Sequence, residues 1–599
     1  MKHIPLLALG LGLAASTPLA LPGSPDCWIS VAHAAQDVSF DNISSTVGGA
    51  SITISHIEIS GSSLSKAELQ ALVEGPWGLN TADTLSKFDA ASITIPEIHV
   101  DVSVPVAGQD TPISQSVVYR DIHVEDIKGG KAARISAAGM SSEVKGPVTL
   151  ETSIGKLLAT DYDFASVVRM VYVAAQPGEA QKAISGPSSI ENVHSTSSNG
   201  VEMNIGRMNI GAVKARPLAT PIAELAPAFK DLNPTDKSMA PAQAAKIVSL
   251  LADFYDAIAV DGMSASDITI KVPDPSFQNA SIQTVKLGSL ANSRFAELGI
   301  EGLDVNASGG HVKLGRAALL GLDIKPLLSS LSKAAKTGDL SGEVMKNLDW
   351  RNAVPHLDSI EVSNLDVTIP QGSSPQNLKL ASYEIKLANY VGAIPTSLHS
   401  RLDKFVADAS FLKDQALELQ QLGYKMVDLS SGTDIAWDES SKALTVNEIS
   451  AQGADMGSVL LKAKLGNVPR ELFAGSPPQM QVAGLGVTLG EASLRLENSG
   501  LLDRIVARLA AVQKTTPDKL RAQWGTQAAL GIPQLLGGSD SAKALGNAVA
   551  SFLAKPKTLF VSVKAKDPNG LGITDLMAGG SPNPASALEK LEIKAIANQ

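Results

Sequence analysis

The chain has 599 residues, a formal net charge of −10 and a single cysteine. That length exceeds what one hydrophobic core organises, and it implies two to four domains. No basic cluster is present to meet phosphate and aromatics are only 4%, so the composition argues against nucleic-acid binding and base stacking.

Residues 1–34 read as a secretory signal. Lys2 supplies the positive start, and Leu6, Leu7, Leu9, Leu11 and Leu13 form the apolar run. Ala32-His33-Ala34 then sets small residues before a cut at Ala35. The expected product is a soluble periplasmic protein, cleaved near Ala34. Gly10, Gly12, Pro18 and Pro22 make the same run a poor span, so no integral membrane span is expected after cleavage. Cys27 precedes the cut, and Ser24-Pro25-Asp26 ahead of it is not a lipid-attachment box. A mature chain without cysteine forms no disulfide, whatever its compartment allows. Short strands and scarce aromatics also argue against a transmembrane β-barrel.

A first sheet/helix unit is expected over 35–180. Ile52, Ile54, Ile57 and Ile59 alternate with polar residues, but the rhythm slips between 54 and 57, which indicates a bulge or break. Ile98, Val100, Val102 and Val104 alternate with His99, Asp101 and Ser103, so one face meets a core and the other meets water. A second unit with insertions is expected over 181–390. It contains a helix from Pro241 to Ile258, with Ile247, Leu250, Leu251, Phe254, Tyr255 and Ile258 on one stripe.

Two short phrases recur. The first is Ser51-Ile52-Thr53-Ile54, Ser92-Ile93-Thr94-Ile95, Asp267-Ile268-Thr269-Ile270 and Asp366-Val367-Thr368-Ile369. Pro96, Pro273 and Pro370 follow three of these copies, and each strand is expected to end or to lie at an edge there. The second is Ile154-Gly155-Lys156, Ile205-Gly206-Arg207 and Leu314-Gly315-Arg316. After Gly155 and Gly315 the likeness continues through Asp163-Phe164 and Asp323-Ile324 into apolar pairs. The expectation is a diverged internal repeat, strand–Gly–strand–helix, with the glycines at bulges or close approaches. Lys156 and Arg316 are expected to be solvated surface residues. Chance reuse of short words in a β-rich chain is the alternative.

Over 391–480 a long helix plus a strand unit is expected. Leu398, Leu402, Phe405, Ala409, Leu412, Ala416 and Leu419 repeat at steps of four and three, which reads as a helix from Thr396 to Leu419. Its stripe either packs on a sheet of the same chain or meets a partner. The last region, 481–599, is expected as strand–helix–strand. Thr516-Pro517-Asp518 has the grammar of a helix start, Gly537-Gly538-Ser539-Asp540 precedes another helix to about Leu553, and strands follow at Leu559–Val563 and Leu591–Ala597.

No catalytic, cofactor-binding or metal site emerges. His56, His99, His123, His194, His311, His356 and His399 are scattered, without ligand spacing. Ser330-Leu331-Ser332-Lys333 and Lys336-Thr337-Gly338 resemble the two halves of a penicillin-binding site, yet they are too close together to face each other across a cleft. Ser63 to Lys66 repeats the first half alone. The glycines from Gly484 to Gly490 have the wrong spacing for a dinucleotide. Asp567-Pro568-Asn569-Gly570 reads as a turn rather than a calcium loop.

Leu422-Gly423-Tyr424, Trp437-Asp438, Leu444-Thr445-Val446, Met456-Gly457-Ser458, Leu465-Gly466-Asn467-Val468 and the tail from Ala548 through Lys555-Pro556 resemble an uncharacterised family of secreted envelope proteins of Gram-negative bacteria. The texture of repeated amphipathic strands is also similar to AsmA-like envelope proteins, and that resemblance implies lipid transport. The fold expected is α+β and β-rich, with amphipathic antiparallel sheets covered by helices. The function expected is non-enzymatic: lipid handling or envelope maintenance through an apolar sheet face. The alternative is an interaction protein that docks an envelope protein by its long helix or a sheet edge.

Overall fold

A computed structural model describes residues 35–47, 50–75, 77–104, 113–224, 241–336, 350–370, 375–572, 575 and 588–599. The expected signal segment, 1–34, lies outside the described residues. The fold is β-rich α+β, and its sheets are antiparallel. The chain divides into two compact units. One runs to Ala296 and resumes at Leu328; the other comprises Glu297–Leu327 and the chain from residue 349 on.

The first unit begins with a meander of long strands: β1 (Gln36–Val47), β2 (Ala50–Ser62), β3 (Ala90–Val104), β4 (Ile113–Lys128) and β5 (Lys131–Lys145). β5 then pairs with both β6 (Leu150–Ile154) and β7 (Leu157–Asp163). After β8 (Lys182–Ser185) comes β9 (Ser188–Ser197), which pairs with both β6 and β7. β10 (Glu202–Ile210) joins β9. β11 (Val213–Ala215) pairs with β8 and with β12 (Ile258–Val260). β13 (Met263–Lys271) pairs with β10 and with β14 (Phe277–Leu287), while β15 (Leu290–Ala291) pairs with β12. The helix Lys66–Glu74 starts on a capping box, Ser65 with Glu68, and buries Leu69. Leu69 packs with Val38, Phe40, Ile43, Ile57, Ile59, Phe88 and Ile127, so the helix covers one face of the meander. The helix expected from Pro241 is present as Pro241–Ala257.

The second unit is built on a longer meander. After β16 (Arg294–Ala307) come β17 (Gly310–Asp323), β18 (Ser359–Ile369), β19 (Gln376–Val391), β20 (Ile394–Asp408), β21 (Met426–Asp438), β22 (Ala443–Gly453), β23 (Gly457–Gly466), β24 (Thr488–Asn498) and β25 (Thr558–Ala565). From β17 to β25 each strand pairs with the next. β26 (Leu571–Gly572) pairs with β24, and β27 (Leu591–Ala597) lies outside β25. The C-terminal helices follow their sequence signals. Thr516 caps Pro517–Leu535, and Ser539 caps Asp540–Ala554.

One irregularity repeats across the sheets. Asn192, Asp267, Asn364 and Lys404 sit in mid-strand with positive φ, between +49° and +56°. Asparagine and aspartate tolerate this left-handed state better than other side chains. Each such residue shifts its strand's alternation by one, so apolar side chains on either side of it stay on the same face. In register, Gly155, Asn192, Gly206, Asp267 and Gln283 form one row across the first unit. Gly315, Asn364, Ala381 and Lys404 form another across β17 to β20. The row ends at β21, where the register shifts between Leu402 and Phe405. The slip between Ile54 and Ile57 has the same origin: Asn42, at φ 52°, interrupts the facing strand at that level.

The strands are not short as expected, since β4 and β19 have 16 residues each, and three further expectations are corrected. The stretch read as one helix from Thr396 to Leu419 is strand β20, then a 3-10 turn at Ala409–Leu412, then a helix only over Lys413–Gln421. A step of four keeps side chains on one face of a strand as well as of a helix. The step of three, Leu402 to Phe405, is the bulge at Lys404, so a bulged strand imitated a helical stripe. Secondly, β3 neither ends at Pro96 nor lies at an edge, since β2 and β4 flank it. Pro96 falls at an interrupted rung opposite Asp121, itself left-handed at φ 49°, where no ladder donor is required. Thirdly, Arg316 is not a solvated surface residue. It is only 28% exposed and meets Glu297, Glu301 and Glu361 at 2.8, 2.6 and 3.3 Å. Lys156 is exposed.

Candidate functional site

The glycine phrases are structural. An added Cβ at Gly155 would lie 3.2 Å from the Cβ of Asn192, at Gly206 2.9 Å from that of Asp267, and at Gly315 2.8 Å from that of Asn364. The parallel after them also has a structural counterpart: Asp163 accepts from the Ser166 amide and Asp323 from the Lys325 amide, and each opens a helix.

The words that resemble catalytic motifs have local roles. Ser330 and Lys333 lie within the helix Lys325–Lys336, while Thr337 and Gly338 lie outside the described residues. Asp567 accepts from the Asn569 amide at 2.8 Å, and its carbonyl accepts from Gly570, which has φ +87°. This is the turn the sequence suggests. Among the described residues, no group of three or more His, Cys, Asp or Glu could hold a metal ion. His56 pairs with Asp41, His99 with Glu97 and His194 with Asn204; His356 stacks on Tyr390.

Titration is shifted away from neutrality at several groups. Ser440 and Ser441 donate to Asp438 and hold its carboxyl at about 2. Cross-strand hydrogen bonds from Gly61 and Ser60 hold Asp37, and turn hydrogen bonds from Ser276 hold Asp274, below the usual carboxylate value. Burial pushes the phenols of Tyr119 and Tyr162 up. Acid–base catalysis needs groups poised near the working pH, and these shifts go the other way.

The feature that stands out is one face of the second unit's sheet. Because the kinks keep the alternation in phase, apolar residues align in rows across the strands. One row runs Leu319, Ile360, Ile385, Ser400, Thr433, Ile449, Leu461, Leu494, Val561 and Ala595. The next runs Ala317, Val362, Tyr383, Leu402, Ser431, Ala451, Val459, Leu496, Leu559 and Ala597. Flanking rows are formed by Leu314, Leu365, Leu380, Phe405 and Leu429, and by Leu387, Leu398, Ile435 and Val446. The opposite face is charged, with Lys379–Asp366 and Lys386–Glu384 pairs at 3.0 and 2.6 Å.

Cover on the apolar face is partial. Ala548 and Phe552 of the helix Asp540–Ala554 lie over Leu496, Leu559, Val561, Ala595 and Ala597. Leu472 and Phe473 close the end near Val391 and Trp437. The contacts of the helix Asp540–Ala554 with the sheet concentrate on β25 and β27. Leu319 remains 36% and Ile449 39% exposed, although both belong to an apolar row. Alternation in single strands signals such a face in the sequence; the misread β20 hid its central strand.

The residues that carry the family resemblance hold this unit together. The Arg504 guanidinium lies 4.2 Å from the Tyr424 ring centre and donates to the Leu422 carbonyl at 3.1 Å. Trp437 donates to the Val468 carbonyl at 2.9 Å and packs on Phe473. The model of a family described only as an uncharacterized protein matches residues 450–598. That span includes Met456-Gly457-Ser458, Leu465-Gly466-Asn467-Val468 and the C-terminal helices, but not Leu422-Gly423-Tyr424 or Trp437-Asp438. No curated protein matches the chain.

Proposed function

We propose that this chain is an exported, non-enzymatic lipid-handling protein of the Gram-negative envelope, working in the periplasm. The apolar face of β17 to β22 receives acyl chains. The carrying observation is that this face is apolar over successive strands, while Leu319 and Ile449 within it stay more than a third exposed. Contiguous apolar surface of this kind marks a binding site more often than a free surface. Its side chains are mainly aliphatic, which suits hydrocarbon. The signal-like start and the family resemblance support the location.

Native mass spectrometry of the purified full chain tests the reading. Wild type is expected to carry phospholipid. L319D/I449D is expected to lose it while its thermal melt stays close to wild type. A wild-type protein free of lipid overturns the reading. Edman sequencing of the exported form is expected to begin at Ala35, and an intact Met1 start overturns the cleaved, periplasmic form.

A further inference from the structure

The apolar face contains a small polar island at its centre. Ser400 on β20 stands directly opposite Thr433 on β21. Leu402, two residues along β20, is flanked by Tyr383 on β19 and Ser431 on β21. By strand alternation all four hydroxyl side chains share the face of Leu398, Phe405 and Ile435. Directly opposed side chains lie about 5 Å apart and diagonal ones about 7 Å apart, so the four form one patch around Leu402. Ser431 is exposed, and the other three are half-buried. None of the four hydroxyls has a hydrogen-bond partner among the described residues. On either side the surface returns to hydrocarbon, through Leu380, Phe405 and Leu429 one way and Leu387, Leu398 and Ile435 the other.

A hydroxyl placed within an apolar surface loses part of its hydration when a ligand covers it, and that loss is offset only if the ligand supplies a hydrogen-bond partner. An acyl chain alone has none. An ester carbonyl accepts hydrogen bonds and sits at the head of the acyl chains in a diacyl lipid. We infer that the Ser400–Thr433–Ser431–Tyr383 patch receives the ester carbonyls of a diacyl glycerolipid, with the chains leaving along the flanking aliphatic rows. This rests on the lipid-handling reading above and adds the ligand's linkage chemistry to it.

Diacyl and dialkyl-ether phosphatidylcholines of equal chain length separate the two ideas, because the ether lipid has the same hydrocarbon and headgroup but no ester carbonyl. The purified chain is offered an equimolar mixture in detergent, and the retained lipids are counted by native mass spectrometry. Wild type is expected to retain the ester form about ten-fold over the ether form, the factor given by one or two neutral hydrogen bonds. S400A/S431A/T433V, which keeps only the Tyr383 hydroxyl, is expected to bind both lipids with the preference sharply reduced. Equal retention of both lipids by wild type overturns the ester assignment and leaves lipid handling intact. Retention of neither lipid overturns both. A triple variant that binds lipid and keeps the full preference also overturns the assignment, and the wild-type comparison stands even if that variant fails to fold.

Discussion

Gly315 on β17 faces Asn364 on β18 so closely that a Cβ on the glycine would stand 2.8 Å from the asparagine Cβ and 3.0 Å from its Nδ2. Asn364 is itself left-handed, at φ 53°. At this rung one strand turns through positive φ and its neighbour gives up its side chain to make room. Gly315→Val, and likewise Gly206→Val against Asp267, should destabilise the protein by about 1–3 kcal/mol, the range for strained or overpacked positions. Lys404→Gly, which relieves a left-handed residue, should be neutral or stabilising by up to about 1 kcal/mol. Urea melts of the three variants check this; wild-type melts for both valine variants would remove the steric account.

Arg316 and Lys156 follow equivalent glycines, and their substitutions should differ. Arg316→Ala leaves Glu297, Glu301 and Glu361 without their shared cation in a half-buried setting. About 1–2 kcal/mol should be lost, between the exposed and the buried ion-pair cases. Added salt should narrow the gap by screening the remaining carboxylates. Lys156→Ala should stay within about 0.5 kcal/mol of wild type. Equal melts for the two variants would contradict the clamp.

Trp437 joins β21 to the segment after β23 through its ring N–H and the Val468 carbonyl. Trp437→Phe keeps most of the apolar volume and removes the donor, at a cost of about 1–2 kcal/mol. A urea midpoint shift at constant slope checks it. An unchanged midpoint would mean that the bond contributes nothing net.

The turn after β21 should respond to acid. Asp438 is held at about 2, below its ordinary 3.8, chiefly by the Ser440 hydroxyl and then by the Ser441 amide and hydroxyl. A carboxylate depressed by folding supports the fold above its unfolded value and loses that support as pH falls through the folded one. The contribution of Asp438 should therefore be present above pH 4 and fade toward pH 2. Carboxyl chemical-shift titration should give a midpoint near 2 in wild type and a higher one, still below 3.8, in S440A/S441A, where the backbone amide of residue 441 continues to donate. A wild-type midpoint near 3.8 would refute the turn geometry.

Much of this fold was legible because its strands obey period two wherever they are regular. Ile98 to Val104, the closing strands and the cap at Thr516 read correctly from local chemistry alone. Two of the failures share one cause. Pro96 and the Leu402–Phe405 step sit at kinks, where a strand carries one extra residue, and a single sequence cannot distinguish that insertion from a strand end or a helical stripe. Arg316 was misjudged because its partners Glu297 and Glu361 come from strands that only the sheet's register brings alongside. The hydroxyl patch around Leu402 was unreadable for the same reason: its members come from three strands and become neighbours only by pairing.

The kink row has the topology of a dislocation in a crystal. An extra half-row threads β17, β18, β19 and β20 and terminates where the register slips against β21. Such a fault cannot stop inside a regular lattice; it must run to an edge or end at a compensating defect. A deletion of Asn364 alone would therefore not heal β18. It would create two new mismatches, one with each neighbouring strand, and turn the apolar residues beyond it toward the charged side. Only the concerted loss of a residue from every threaded strand would restore a flat sheet, so insertions and deletions at this level have to travel together through all the threaded strands while the turns between them remain free to vary in length.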